Sequence, residues 1–254
     1  CAHDTVIVVN NIHPQPKADF TINKPGVCIG DNVTFTDITD GKDGIVNQWH
    51  WDMGDGSIRT TNTVTYTYTD TITYTVVMYS INSQGCNSDT VSKQFTVYPY
   101  PHVNAGPDRY VLEGGQIVLS PVVWGNDMQF LWTPNQYLQD NRIEKVKVIK
   151  PLTDMTYTLM VTARGGCSRS DDVFVKLLKF PKIPNTFTPN NDGINDTWRI
   201  DYLNTYPDNR VQVFTRTGQL VFESRGYNTP WDGTIKGKPL PFDTYYYIIE
   251  PGSG

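Results

Sequence analysis

Charge is scarce in this chain, and basic charge scarcer still. Asp, Glu, Lys and Arg make up 19% of 254 residues, and the 21 Lys and Arg form no run or stripe that could track a nucleic-acid backbone. No apolar stretch approaches the ~20 residues that a membrane helix needs. His3, His13, His50 and His102 belong to no His-Glu-x-x-His phrase, and there is neither a Gly-x-Ser-x-Gly elbow nor a Gly-rich phosphate loop. No two carboxylates can be given acid and base roles. The expectation is a chain that is not an enzyme. Cysteine is also sparse: Cys1, Cys28, Cys86 and Cys167 lie far apart without a Cys-x-x-Cys pair, which argues against a zinc cage. The chain begins at Cys1 rather than Met and shows no signal-peptide pattern, which leaves room for a targeting segment upstream.

What the chain has in abundance suits sheets. Thr is the commonest residue, Tyr occurs 15 times, and 20 Gly and 17 Pro punctuate the runs. Branched and flat side chains fit half-buried pleated surfaces, so the fold class is all-β. The length calls for two or three small domains. One phrase recurs: Cys1-Ala-His-Asp4-Thr5-Val6, Cys86-Asn-Ser-Asp89-Thr90-Val91, and Cys167-Ser-Arg-Ser-Asp171-Asp172-Val173. Each copy leads into an apolar segment and then a Pro-containing one, and Pro ends strands because it cannot donate to the ladder. The copies stand about 80 residues apart, the size of a small β-sandwich. The expected divisions are therefore 1–14, the last strand and linker of an upstream domain; 15–99; 100–180; and 181–254.

From Asn62 to Met78 the pattern has period two. Val64, Tyr66, Tyr68, Ile72, Tyr74, Val76 and Met78 alternate with Thr, as a strand's two faces require, with a turn expected at Thr69-Asp70-Thr71. Just before it stands Trp49-His50-Trp51-Asp52-Met53-Gly54-Asp55-Gly56. Gly54 and Gly56 give a tight turn its freedom, and Asp55 can bond its own backbone. This phrase, with Tyr66-x-Tyr68 and Tyr74-x-Val76, resembles PKD domains, which implies a seven-stranded sandwich used as a spacer or binding module. Trp49 and Trp51 have two readings, a sugar-stacking platform or core packing. A Cys28–Cys86 disulfide is expected, since both residues lie near strand ends, and it implies an extracytoplasmic compartment.

Asn104-Ala-Gly-Pro-Asp108, Gly115-Gln-Ile-Val-Leu119, Phe130-Leu-Trp-Thr-Pro134 and Thr156-Tyr-Thr-Leu-Met-Val161 resemble the Ig-like repeats that accompany PKD domains in large Bacteroidetes surface proteins. Where such repeats often carry a cysteine, this chain has Leu112-Glu113. Cys167 is therefore read as a buried free thiol, and a Cys1–Cys167 bridge is disfavoured.

Residues 181–254 carry the densest phrasing: Pro184-Asn185-Thr186-Phe187-Thr188-Pro189-Asn190-Asn191-Asp192-Gly193-Ile194-Asn195-Asp196, then the run Val211 to Phe222, Pro230-Trp231-Asp232-Gly233 and Thr244-Tyr245; the turn Thr215-Arg-Thr-Gly218 departs from the Asn-Arg-Trp-Gly of the domains that the run resembles. In order and spacing this resembles the gliding-motility-associated, type B C-terminal domain of Bacteroidetes proteins. The resemblance implies a small Ig-like sandwich that acts as an export signal for type IX secretion. The implied partners are the type IX translocon, its outer-membrane shuttle β-barrel protein, and an outer-membrane protein paired with the cargo. It marks Pro184, Asn185, Phe187, Pro189, Asn190, Asp192, Gly193, Asn195, Asp196, Gly218, Trp231, Asp232, Gly233 and Tyr245 as sorting-motif residues, serving recognition or fold. Asp243 stands where the family has Gly, and such domains run on to one more strand. Asn190, Asp192, Asn195 and Asp196 also offer oxygen ligands around a Gly, so a calcium site stands beside the alternative of Asx-turns.

The chain is thus expected to be a non-catalytic piece of a secreted cell-surface protein, carried through periplasm and outer membrane, with tandem PKD and Ig-like sandwiches as spacers or adhesive modules. The alternative is the carbohydrate-binding tail of a secreted polysaccharide-degrading enzyme, with surface glycans met by Trp49, Trp51 or Trp132.

Overall fold

The computed structural model describes residues 12–252. The strand expected at Val6–Val9 lies outside the described residues. The chain forms two compact units: one takes the chain up to His102 with Trp124–Met128 and Thr162–Arg169, the other takes Val103–Val123, Gln129–Val161 and the chain from Ser170 on.

In the first unit, β1 (Phe20–Ile22), β2 (Gly26–Cys28), β3 (Asn32–Asp37), β4 (Val46–Asp52), β5 (Ile58–Arg59), β6 (Thr63–Thr67), β7 (Thr73–Asn82) and β8 (Val91–Tyr98) build two sheets, ordered β1-β3-β6 and β2-β8-β7-β4-β5. The Thr alternation does what its period requires. Tyr74, Val76 and Met78 of β7 are buried while Thr73 and Thr75 face out, and the chain turns between β6 and β7. Ile72, just before β7, is the exception, 54% exposed. Phe20 of one sheet meets Trp51 of the other edge-on, ring centroids 5.2 Å apart. This is a sandwich core closed by aromatic pairs.

After the first eight strands, β9 (His102–Asn104), β10 (Arg109–Leu112), β11 (Gln116–Leu119), β12 (Val122–Trp124), β13 (Gln129–Thr133), β14 (Val146–Ile149), β15 (Met155–Thr162) and β16 (Ser168–Leu178) give the main sheet β10-β16-β15-β13 and the pair β11-β14, with β9 joined to β12. Leu119, Val146 and Val148 from the pair and Trp132, Tyr157, Leu159 and Val175 from the sheet are buried. Next come β17 (Arg210–Phe214), β18 (Leu220–Arg225), β19 (Thr234–Ile235), β20 (Lys238–Pro239) and β21 (Tyr246–Glu250), as the sheet β18-β17-β21 and the hairpin β19-β20. The structure is therefore a set of all-β sandwiches.

The disulfide requires a correction. Cys28 is bonded to Cys167, Cα atoms 5.6 Å apart, and Cys86 is free among the described residues. The reason is direction. Strand β2 runs parallel to β8 and sets Cys28 opposite Tyr98, the last residue of β8, whereas Cys86 precedes the first. Seven residue steps at ~3.3 Å put the two ends roughly 23 Å apart. Cys167 is accordingly not a free thiol.

Three buried tyrosines each donate a phenol hydrogen to a backbone carbonyl: Tyr68 to Met53 O (2.9 Å), Tyr157 to Gln136 O (2.9 Å), and Tyr227 to Trp198 O. Burial raises all three above the ordinary phenol range, Tyr157 to about 12. A raised folded-state value means that the unfolded chain ionises first. Their contribution is whole below about pH 10 and is lost as pH rises, through about 12 for Tyr157. We expect alkaline unfolding in that window, with part of the phenolate absorbance appearing only as the fold is lost; full ionisation near pH 10 without unfolding would contradict this.

Candidate functional site

The PKD phrase is spent on the fold. Trp51 is fully buried and donates its indole N–H to Thr61 O at 2.8 Å; Trp49 packs against the same core and donates to Asp37 Oδ2 at 2.8 Å. Gly54 has φ +81°, and a Cβ there would stand 2.7 Å from Thr75 O. Asp55 accepts from Ser57 N–H (2.9 Å) and from the Tyr66 hydroxyl (2.6 Å), and Gly56 completes the turn at φ +87°. Trp132 is fully buried as well. Neither Trp51 nor Trp132 can offer a face to a sugar. The exposed indole is one the sequence reading passed over: Trp124, 58% exposed, with one face stacked on His102 at 3.5 Å between ring centroids.

The residues from Pro184 to Tyr247 form a connected aromatic site. Trp198 and Trp231 face each other across a β-bridge, the Trp198 N–H donating to Trp231 O at 2.7 Å. Their indoles donate to Pro184 O (2.8 Å) and Thr234 O (3.0 Å). Tyr227 ties them together, since its hydroxyl donates to Trp198 O and accepts from the Trp231 N–H at 3.2 Å. Asp232 closes an Asx-turn onto Thr234 N–H, and Gly233, at φ +76°, lets Pro189 and Phe187 pack onto the turn. Phe187 and Tyr245 both pack on Trp231, each with ring centroids 5.4 Å from it. Tyr245 donates its hydroxyl to Pro241 O at 2.8 Å, and burial followed by the charge of Asp243 raises its ionisation. Gly218, at φ +83°, turns the chain between β17 and β18.

Phe187, Trp198, Trp231, Tyr245 and Tyr247 line a groove of about 1080 Å³, together with Asn185 and Asn190. Phe242, at its rim, is fully exposed. In the sheet beside it, β21 pairs among the described residues with β17, and Tyr246 and Ile248 are about half exposed.

The Asn-Asp loop is built around Asp196. One carboxylate oxygen accepts from the N–H of Asn190 (3.1 Å) and Asn191 (2.6 Å), the other from Gly193 (2.7 Å). Asp192 accepts from Ile194 N–H, and the Asn190 side-chain amide on its carboxylate lowers its pKa. Asn195 helps close the loop, its carbonyl accepting from Thr188 N–H at 2.9 Å. The loop thus uses an internal carboxylate against its own N–H donors, the Asx-turn arrangement. No group of three or more Asp, Glu, His or Cys converges to hold a metal among the described residues.

Comparison with known proteins matches two parts of the chain. Residues 181–254 match the family described as CHU_C Type IX secretion signal domain, and residues 13–97 match the PKD domain family. No curated protein matches the chain. Among solved structures, the PKD1 domain of the Vibrio cholerae metalloprotease PrtV is 25% identical over 33% of this chain and 98% of that one, with a TM-score of 0.30. The PKD1 domain of Vibrio anguillarum Epp is 24% identical over 33% and 96%, with a TM-score of 0.29. An I-band fragment of titin is 16% identical over 84% and 82%, with a TM-score of 0.41. The chain carries a PKD domain and a type IX secretion signal domain.

Proposed function

We propose that residues 181–254 are the address by which the type IX translocon exports this polypeptide, and that the sandwiches before them are non-catalytic spacers or adhesive modules of a cell-surface protein. The match of 181–254 to a type IX secretion signal domain carries this reading. Part of the phrasing, Pro184 to Asn190 with Trp231, Gly233 and Tyr245, lines one groove, where Phe187 and Tyr245 each contact the Trp231 ring. An apolar groove with a polar loop on one side and an exposed phenyl at its rim gains from docking, because water leaves those rings. Its occupant in this reading is the translocon or its shuttle β-barrel protein. The Bacteroidetes and gliding context, and an outer-membrane protein paired with the cargo, come with the family resemblance.

The test is an export assay. A reporter fused ahead of the chain, behind a signal peptide, is expressed in a cell with the type IX translocon and in one without it. The reporter is expected outside the cell only where both the translocon and residues 181–254 are present. Reporter held in the periplasm with the translocon present, or reaching the surface without residues 181–254, would overturn the reading.

A further inference from the structure

Two hairpins in the chain are built alike to the level of single hydrogen bonds. In the β7–β8 hairpin, Asn82 N–H donates to Cys86 O (3.1 Å), Gly85 N–H donates to Asn82 O (2.9 Å), and Gly85 has φ +78°. In the β15–β16 hairpin, Ala163 N–H donates to Cys167 O (2.8 Å), Gly166 N–H donates to Ala163 O (3.1 Å), and Gly166 has φ +81°. Cys86 and Cys167 therefore hold the same place.

Their surroundings also correspond. The sulfur of Cys167 lies 3.9 Å from the carbonyl of Tyr98, which opens the linker Tyr98-Pro99-Tyr100-Pro101. The sulfur of Cys86 lies 3.9 Å from the carbonyl of His13, which opens His13-Pro14-Gln15-Pro16. Along the sequence, Tyr98 follows Cys86 by twelve residues, and His13 follows Cys1 by twelve, with Asp-Thr-Val at the same offsets. His13 thus stands at the offset in its copy of the phrase that Tyr98, the last residue of β8, holds in the next.

One of the two cysteines is bonded. Cys167 takes Cys28, the residue set opposite Tyr98 on the parallel strand β2. From this correspondence we infer that Cys86 forms the same bridge one module earlier, to a cysteine on an edge strand paired with His13 in the sandwich that precedes Ile12 in the polypeptide. The bridge is a covalent staple from each module's last hairpin to the sheet edge of the module before it.

The pattern of absence agrees. Leu112 faces Leu178 on parallel strands, with Glu113 N–H donating to Leu178 O, as Cys28 faces Tyr98 with Ile29 N–H donating to Tyr98 O. Leu112 therefore stands where Cys28 stands, and residues 181–254, the following domain, contain no cysteine to bond it. Where the hairpin cysteine is missing, the edge cysteine is missing too. Forming the bridge removes one hydrogen from each thiol. The electrons pass to a disulfide donor, a protein disulfide or oxidised glutathione, which leaves as two thiols.

The inference does not depend on the export reading, and mass spectrometry tests it. The native polypeptide, including the module before Ile12, is purified from an oxidising compartment, denatured, alkylated without reduction and digested. The expected result is that Cys86 resists alkylation and appears in a cross-linked peptide with a cysteine of that preceding module, alongside the Cys28–Cys167 peptide. Serine at the preceding cysteine should return Cys86 to full alkylation. Cys86 alkylated in the native polypeptide, Cys86 bonded to Cys1, or a preceding module without a cysteine opposite His13 would each overturn it.

Discussion

Serine at Cys28 or Cys167 is expected to lower the stability of the first unit by ~2–4 kcal/mol. The bridge joins residues 139 apart in sequence, so it restricts a long loop of the unfolded chain. Chain entropy for such a loop gives about 5 kcal/mol as an upper figure, and measured values fall below it. The Thr162–Arg169 turn also has its own hairpin bonds and an Arg164 N–H bond to Asn126 O at 2.9 Å, while its contacts with the residues around Cys28 and Tyr98 are few. Gly165 approaches Tyr98 so closely that a Cβ would stand 2.2 Å from its ring. The Arg169 guanidinium lies 4.2 Å from the Tyr100 ring centroid, and the Tyr100 hydroxyl donates to Asp31 at 3.1 Å. Exposed contacts of these kinds are worth roughly 0–1 kcal/mol each. Serine at Cys86 should leave stability unchanged in this chain, because its sulfur forms no disulfide among the described residues and serine keeps a donor for the His13 carbonyl. Denaturant unfolding followed through the fluorescence of Trp51 reads the difference. Equal midpoints for Cys28→Ser and the native chain would show that the turn is held without its bridge.

The failure over Cys86 shows where sequence reading stops. Strand β7 was legible because its pattern is local: Tyr74, Val76 and Met78 alternate with Thr, and a two-residue period has one structural meaning. The Trp49-to-Gly56 turn was legible for the same reason, its bonds closing within a few residues. Strand β2 has only three residues, and its parallel partner lies 70 positions away. Nothing local records that pairing, so the ends of the sandwich could not be told apart, and the cysteine of the wrong end was chosen. The repeat of the cysteine phrase held the needed signal. Cys167, which stands in the same phrase as Cys86, bonds to Cys28 of the preceding sandwich, and that comparison points from Cys86 away from its own domain. In residues 181–254 the sorting-motif residues include Gly218 and Gly233, which stand in turns, but not Trp198, Tyr227 and Tyr247, which belong to the same ring cluster. Tyr227 reaches Trp198 O across 29 positions, and Tyr247 lies 5.0 Å from Trp198. Trp124 escaped because a single exposed indole on a short strand has no pattern to mark it.

The sorting phrases mix two roles, and a pair of substitutions should separate them. Trp231 is 3% exposed, bonds Thr234 O and the Tyr227 hydroxyl, and touches Phe187, Phe222 and Tyr245. Trp231→Ala should cost ~3–5 kcal/mol. That is most of what a sandwich of this size has to lose, since small domains hold about 5 kcal/mol or little more. Export should then fail because the domain no longer folds. Phe242 is the opposite case: it is fully exposed at the groove rim, so Phe242→Ala should change stability by no more than ~0.5 kcal/mol. If the groove is what the machinery grips, a phenyl buried on docking contributes ~2 kcal/mol, and its loss should cut export about thirtyfold. Thermal unfolding and surface reporter, measured on both variants, give the comparison. Loss of export in Phe242→Ala with an unchanged melting temperature places recognition in the groove. Native export in Phe242→Ala moves it elsewhere, and β21, the outer strand of its sheet among the described residues, with Tyr246 and Ile248 exposed, becomes the surface to test.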